Sequence, residues 1–442
     1  MEHLFTAEQL EQAGRRMHET MTELYPICRS LTGPGVLQTL EVLSRRLPLE
    51  VREVPTGTRV FDWTVPREWT IRDAYIIDPS GQKVADFSQS NLHVVSYSAP
   101  VRTTMSLEEL RPRLHTLPDH PDRIPHCTAY YSDDDYWGFC LKHQDYAQLR
   151  PGQYEVVIDS TLADGVLRFG ELFLAGQTSE EVLLSTYLCH PSLCNDNLSG
   201  VVLLAELAAR LASVEMRRYG YRFLFAPETI GAITWLSSNA ERVERICAGL
   251  VATCVGDPGT MTYKRSRRGD ALVDRAAEQA LADAGEPFEV RDFWPTGSDE
   301  RQYCSPGFDL PVGSLMRTPY GEFSEYHTSA DDLGFVRPEA LAASLARYAD
   351  VLYILENDRI CVNTYPHCEP QLGTRGLWDA VGGQSELAEG QTAMLWVLHF
   401  SDGEHSLLDI ARRSTFPFAL VSAAADLLLE HGLLRLKSDD ES

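Results

Sequence analysis

Apolar residues recur at helical spacing through residues 7 to 47, interrupted once by Thr32-Gly33-Pro34-Gly35. This pattern predicts two helices joined by a turn. From Val51 to Val101 the texture becomes short and strand-like, in VREVPTG, RVFDWTVP and DAYIIDPSGQKV. The Pro-Ser-Gly between DAYIID and QKVADF marks a hairpin. Residues 51–150 therefore read as a β-rich module, with DYWGFCLKHQDY as its late strand and turn.

Beyond residue 153 apolar strands alternate with helices. EVLLSTYL precedes the helical stretch LSGVVLLAELAARLASV, and YRFLFA precedes a helix containing Trp235. AGLVATCVG is followed, after a basic turn, by ALVDRAAEQALADAG, and helical pattern returns over 338–356. Alternation of this kind predicts a doubly wound α/β sheet with helices on both faces. After the turn-rich YPHCEPQLGTRG, residues 377–442 carry short helical patterns that suit a small winged-helix-like module.

Composition narrows the classes. At 442 residues with 44% hydrophobic content the chain is long enough for two or three folded domains. No stretch approaches the roughly eighteen consecutive apolar residues of a membrane span. The N-terminal MEHLFTAEQLEQAGRRMHET lacks the apolar core of a secretory leader. Ten scattered cysteines are too sparse for a disulfide scaffold, so a cytoplasmic location with reduced thiols is expected. A net charge of −25 opposes binding to a phosphate backbone. The tail from Leu377 holds four basic residues (Arg412, Arg413, Arg435 and Lys437) against eleven acidic ones, so docking or oligomerisation is expected of it rather than DNA reading.

Candidate chemistry gathers where apolar strands end, which is where open α/β sheets place their ligands. His190 and Asp196 lie in YLCHPSLCNDNLSG, and an imidazole and a carboxylate from one turn suit zinc. A helix cap with an incidental histidine fits the same segment equally well, with Asn197 and Ser199 as capping residues and Gly200 allowing close packing. Cys189 and Cys194 read as buried thiols, because no second cysteine pair stands at zinc-binding spacing. Glu228, just beyond YRFLFA, is placed either as a general base or as a helix N-terminal acid. His327 stands in EYHTSADD, where a neighbouring acid could accept its second ring N–H. Lys264-Arg265-Ser266-Arg267-Arg268 is the dense basic cluster, suited to a substrate carboxylate or phosphate or to a solvated loop.

In this order, His190, Asp196-Asn197-Leu198-Ser199-Gly200, Glu228 with Gly231, and His327-Thr328 resemble the zinc aminopeptidases of the bacterial leucyl aminopeptidase and glutaminyl cyclase superfamily. DWTVPREW, SNLHVVSYSAPV, PETIGAI, CVGDPG and EYHTSADD further resemble the aminopeptidase-like proteins of bacterial polysaccharide and natural-product gene clusters. The resemblance spans nearly the whole chain. It implies a zinc-exopeptidase-like mixed sheet formed by 1–50 and 151–360, an inserted β-rich module at 51–150, and a winged-helix-like domain at 377–442. It implies His190, Asp196 and His327 as metal ligands and Glu228 as the base. Ser298-Asp299-Glu300-Arg301 resembles the superfamily's Ser-Asp motif, whose acid could bind a substrate amino group.

The sequence departs from that pattern at several places, including an unusually short segment between His190 and Asp196. Thr229 replaces a glutamate ligand, Ser192 replaces a supporting aspartate, and Asp257 lies a few residues out of register for the remaining metal aspartate. One zinc per chain is therefore expected rather than two, and Glu228 is either base or ligand. The expected function is zinc-dependent hydrolysis of an amide in a small molecule or short peptide, without nucleic-acid or membrane partners and with homo-oligomerisation open. The alternatives are a deacylase or cyclase acting on a biosynthetic intermediate, and a non-catalytic metal-binding scaffold.

Overall fold

The computed structural model describes residues 4–130, 135–377 and 385–437. Helix α1 (Ala7–Leu24) starts at a capping box, with Thr6 and Gln9 satisfying each other's backbone N–H groups. Its buried stripe runs through Ala13, Met17, Met21 and Leu24. Pro34 opens α2 (Pro34–Ser44) with its φ already set for a helix. Gly33 before it adopts φ +98°, and a Cβ there would lie 2.2 Å from the Trp69 carbonyl oxygen. The turn signal thus marks a backbone contact with the β-rich module.

The main sheet has eight strands: β1 (Glu50–Pro55), β2 (Val166–Leu174), β3 (Glu181–Tyr187), β4 (Gly220–Ala226), β5 (Ile246–Ala252), β6 (Met261–Lys264), β7 (Phe288–Arg291) and β8 (Val312–Met316). Their spatial order is β1-β2-β4-β3-β5-β8-β6-β7. β4, β3, β5 and β8 are parallel, whereas β1, β2 and β6 join by antiparallel pairing, so the sheet is mixed. Every residue of β3 and β4 is buried, which explains their unbroken apolar character. Consecutive residues face opposite layers. Leu184 and Phe223 join the core under α1, α3 (Ser199–Ala212), α5 (Leu272–Asp283) and α6 (Pro338–Asn357). Leu183 and Leu224 join the core under α4 (Ile230–Ser238). Helices therefore cover both faces, as expected of a doubly wound sheet.

The β-rich module has its own four-stranded sheet, built from Lys83–Asp86, Glu68–Ile77, Gln153–Ala163 and Val101–Ser106 in that order. The expected hairpin is present, and Asp78 Oδ1 accepts the N–H groups of Ser80 and Gln82 within it. The strand positions differ from the expected 51–150 division at both ends. Residues 50–55 pair with β2 in the main sheet. Residues 153–163 pair with Glu68–Ile77, because Tyr154, Val156 and Ile158 face the module's own core.

In the tail, α7 (Ser385–Phe400), α8 (Leu407–Ser414) and α9 (Phe418–Glu430) accompany a three-stranded sheet of Asp402–Ser406, Ile360–Asn363 and Leu434–Leu436. That sheet recruits residues 360–363, upstream of the expected start at 377. Residues 378–384 and 438–442 of the expected tail lie outside the described residues. None of the ten cysteines is in a disulfide. No helix among the described residues is long and apolar enough to cross a membrane.

Candidate metal centre

β3 ends at Tyr187, and the following turn folds back so that His190 and Asp196 face one another at the carboxyl edge of the sheet. His190 Nε2 lies 3.9 Å from Asp196 Oδ2, and His327 Nε2 reaches the same oxygen at 2.9 Å. The ligand atoms of these three residues all fall within 4.8 Å of one another. Asp196 Oδ2 and His327 Nε2 are buried, and neither finds a hydrogen-bond partner despite their proximity. Two converging polar atoms left without a hydrogen bond in a buried site are costly. Two imidazole nitrogens and one carboxylate oxygen form a donor set that fits zinc, so these residues suit the ion that the resemblance implies. Burial pushes the His190 imidazole down to about 4, leaving it neutral as a nitrogen ligand must be.

The turn carrying Asp196 is fixed from several directions. Asp331 accepts the N–H groups of Asn195 (2.6 Å) and Asp196 (2.9 Å). Tyr187 Oη donates to Asp196 Oδ1 and lies 2.7 Å from Thr253 Oγ1. Asn197 Nδ2 bonds Thr186 Oγ1 and the Tyr187 and Ala252 carbonyls, and its Oδ1 accepts from Gly200 N. Gly200 is required for the close approach, because a Cβ would lie 2.2 Å from the Ala252 oxygen.

Glu228 lines the same cleft with Cys189, His190, Thr229 and His126. Its carboxylate lies within 4.8 Å of ligand atoms of His190 and Cys189. Burial, then the carboxylates of Asp299 and Asp196, push it well above the usual carboxyl range. Thr229 is held at φ +62°, an outlier for a β-branched residue, while its N–H bonds Asp299 Oδ1 at 2.7 Å. Thr229 Oγ1 accepts from Arg301 Nη2 at 2.9 Å. The strained backbone thereby aims Glu228 into the cleft ahead of α4, rather than within the helix's first turn.

Comparison with known proteins fits this architecture. Residues 18–358 match the family model described as Domain of unknown function (DUF4910), and residues 359–436 match a winged helix-turn-helix model. The chain belongs to the DUF4910 family. A Clostridium acetobutylicum protein, described as a candidate polysaccharide biosynthesis protein with an aminopeptidase-like domain, is 52% identical over 96% of this chain and 97% of its own length. A crystal structure of a candidate peptidase from the same organism superposes with a TM-score of 0.92 at 50% identity, covering 97% of this chain and 98% of that one. The zinc aminopeptidase of Bacillus subtilis shares the fold at 12% identity, with a TM-score of 0.58 over 77% of this chain and 95% of its own.

In this DUF4910 protein the structure brings His190, Asp196, His327 and Glu228 together and redirects several other expectations. Asp257 is bound to Asn195 Nδ2, Gly259 N and Thr318, and belongs to neither cluster of candidate ligands. The acids flanking His327 do not orient its ring. Asp331 holds the Asp196 turn, Asp332 caps residues 334 and 335, and Glu325 pairs with Arg123. The basic cluster is engaged within the protein. Lys264 is buried on Glu300, Arg265 pairs with Glu278 and Asp292, and Arg267 and Arg268 pair with Asp309. Asp299 supports Thr229, and burial pushes its carboxyl up to about 7.

The sequence reading missed His126. Its ring centroid lies 5.4 Å from that of His190 and 5.2 Å from that of His327. It enters from the inserted module, so its proximity depends on how that module lies over the sheet, which no local pattern encodes. Tyr187 was missed because its side chain sits inside a strand that reads as plain core.

Proposed function

We propose that this protein is a hydrolase of aminopeptidase type that uses one zinc ion to cleave an amide bond in a small molecule or short peptide. The observation that carries this reading is the buried pair Asp196 Oδ2 and His327 Nε2, unpartnered and 2.9 Å apart beside His190. Zinc in such a site polarises a carbonyl and acidifies a water. Glu228 takes the water's proton and returns it to the departing amine. Its raised affinity for a proton suits both halves of that transfer. His190, Asp196 and His327 would hold the ion, three protein ligands being the number usual in catalytic zinc sites.

A single ion is supported by what surrounds Asp196. Its Oδ1, the oxygen that a second ion would need, accepts from Tyr187. Thr229, at the position of the superfamily's glutamate ligand, is engaged by Arg301.

The test joins elemental analysis to a substrate panel. Protein reconstituted with zinc and freed of excess should retain about one ion per chain. It should hydrolyse a member of a panel of aminoacyl amides, dipeptides and N-acylated sugars. No retained transition metal would overturn the reading. One retained zinc without turnover on any member would favour the scaffold alternative.

A further inference from the structure

Residues 123–129 of the inserted module are laced to the metal centre. His126 N donates to the His327 carbonyl at 2.7 Å, and Ile124 and Ser329 exchange bonds of 3.0 and 2.8 Å. Pro125 and Thr328 form an isolated bridge, and Arg123 pairs with Glu325. On the other side, Ala129 N bonds the Ser96 carbonyl at 2.7 Å, anchoring the segment to its own module. The segment is therefore laced to the very loop that carries His327. Such lacing places the His126 ring against both metal histidines, with centroids 5.2 and 5.4 Å away.

Its role as a fourth ligand is disfavoured by geometry. Neither cluster of candidate ligand atoms within 4.8 Å includes His126. Three protein ligands and an open position already make a complete catalytic zinc site. Yet the imidazole lines the cleft beside Glu228 and Thr229, and no side-chain hydrogen bond among the described residues occupies it. An imidazole in any protonation state carries at least one N–H donor. A rigidly held donor at the wall of a hydrolytic cleft has its largest effect on an oxygen that gains charge during reaction.

We propose that His126 is a catalytic residue supplied by the inserted module, donating a hydrogen bond to the scissile amide oxygen as that oxygen takes up negative charge. This rests on the hydrolase reading above. Water adds to the carbonyl carbon, its proton passes to Glu228, and the carbonyl π electrons move onto the oxygen that His126 faces. Return of those electrons expels the amine, which leaves with the proton from Glu228. The insertion is then part of the active site, and loss of its docking would disable chemistry with the metal still bound.

The experiment uses full-length, zinc-loaded protein with His126→Ala and His126→Gln, the latter retaining an N–H donor. Zinc content, chelator competition and calorimetric binding of methylphosphonate, a tetrahedral oxyanion probe, are read on each. His126→Ala should keep its zinc and lose about ten- to a hundred-fold in methylphosphonate affinity, with His126→Gln recovering part of it. On any substrate that the panel identifies, kcat should fall by about 10²- to 10³-fold with KM little changed. Zinc lost from His126→Ala but retained by wild type would make His126 a ligand and overturn the proposal. Unchanged methylphosphonate affinity in His126→Ala would overturn it as well. Failure of wild type to hold zinc would count against the hydrolase reading itself, and is thereby distinguishable.

Discussion

At the scale of single residues, Glu228 lines the cleft and Asp299 is buried behind it on Thr229 N, so the two are tested differently. Glu228→Gln preserves shape and hydrogen-bonding capacity while removing the proton acceptor. Zinc content should survive, and amide hydrolysis should fall by about 10²- to 10⁴-fold. Loss of zinc with activity would instead make Glu228 a ligand. Asp299 is tested through stability. Burial raises its carboxyl from 3.8 to about 7, and the Glu300 carboxylate adds to the rise. Its Oδ1 accepts from Thr229 N while Oδ2 is buried without a partner, the arrangement expected if Oδ2 bears the proton. The folded protein therefore holds a proton that the unfolded chain releases. The resulting stabilisation is complete below pH 3.8 and is lost as pH rises toward about 7. Within that window the loss approaches about 1.4 kcal/mol per pH unit. Chelator-treated Asp299→Asn should lack this slope in denaturant melts between about pH 5 and pH 7. Parallel curves for wild type and variant would show that the carboxyl is not held neutral.

At the scale of elements, the turn between β3 and α3 does most to build the site, and Asp331 is its distant support. Asp331→Ala leaves the Asn195 and Asp196 N–H groups without acceptors. Chelator competition should show zinc affinity about 10- to 100-fold weaker while the fold persists, since groups that orient ligands carry that much. Equal affinity would mean that Tyr187 and Asn197 suffice to hold the turn. Much of this element was legible from residues alone. The strand ends and the alternation with helices follow from apolar runs that stop at polar residues, whereas the choice of His190, Asp196 and His327 as a set came from the family resemblance. What escaped was pairing across distance. Asp331 reads as one more acid near His327, and only the folded backbone directs it to Asp196. Strand 153–163 carries alternation as good as its neighbours', and nothing local assigns it to the inserted sheet. The pairing of the basic cluster was equally hidden, because a run of cations is conspicuous whereas its partners Glu278, Asp309 and Glu300 are scattered along the chain.

At the scale of the whole molecule, the tail decides whether the winged helix serves nucleic acid or architecture. Reading duplex DNA requires the start of the recognition helix to enter the major groove. Here that helix is α9, which contains no lysine or arginine. Its first residue is buried: Phe418 N donates to Asp283 at 2.8 Å, and the Phe418 ring meets Tyr353 edge-on at 6.0 Å. α8 is engaged as well, with Asp409 on Arg275 and Arg412 on Glu278, both partners belonging to α5. A duplex would have to strip these contacts while approaching a chain of net charge −25. The full-length protein should therefore give no mobility shift with mixed-sequence duplex DNA at physiological salt. Truncation at 377 is a poor control, because it removes both strand partners of residues 360–363 and uncovers the apolar faces of α5 and α6. Asp283→Ala with Tyr353→Ala is cleaner, since it weakens docking and leaves the tail's own core complete. That double variant should loosen the tail, seen as faster proteolysis within 359–436, while zinc content stays at the wild-type value. A salt-sensitive shift by the wild-type protein would show that the docked arrangement yields to DNA and would return the module to nucleic-acid recognition. Without such a shift, the winged helix acts as a packing unit whose α8 and α9 dock on α5 and α6 beside the main sheet.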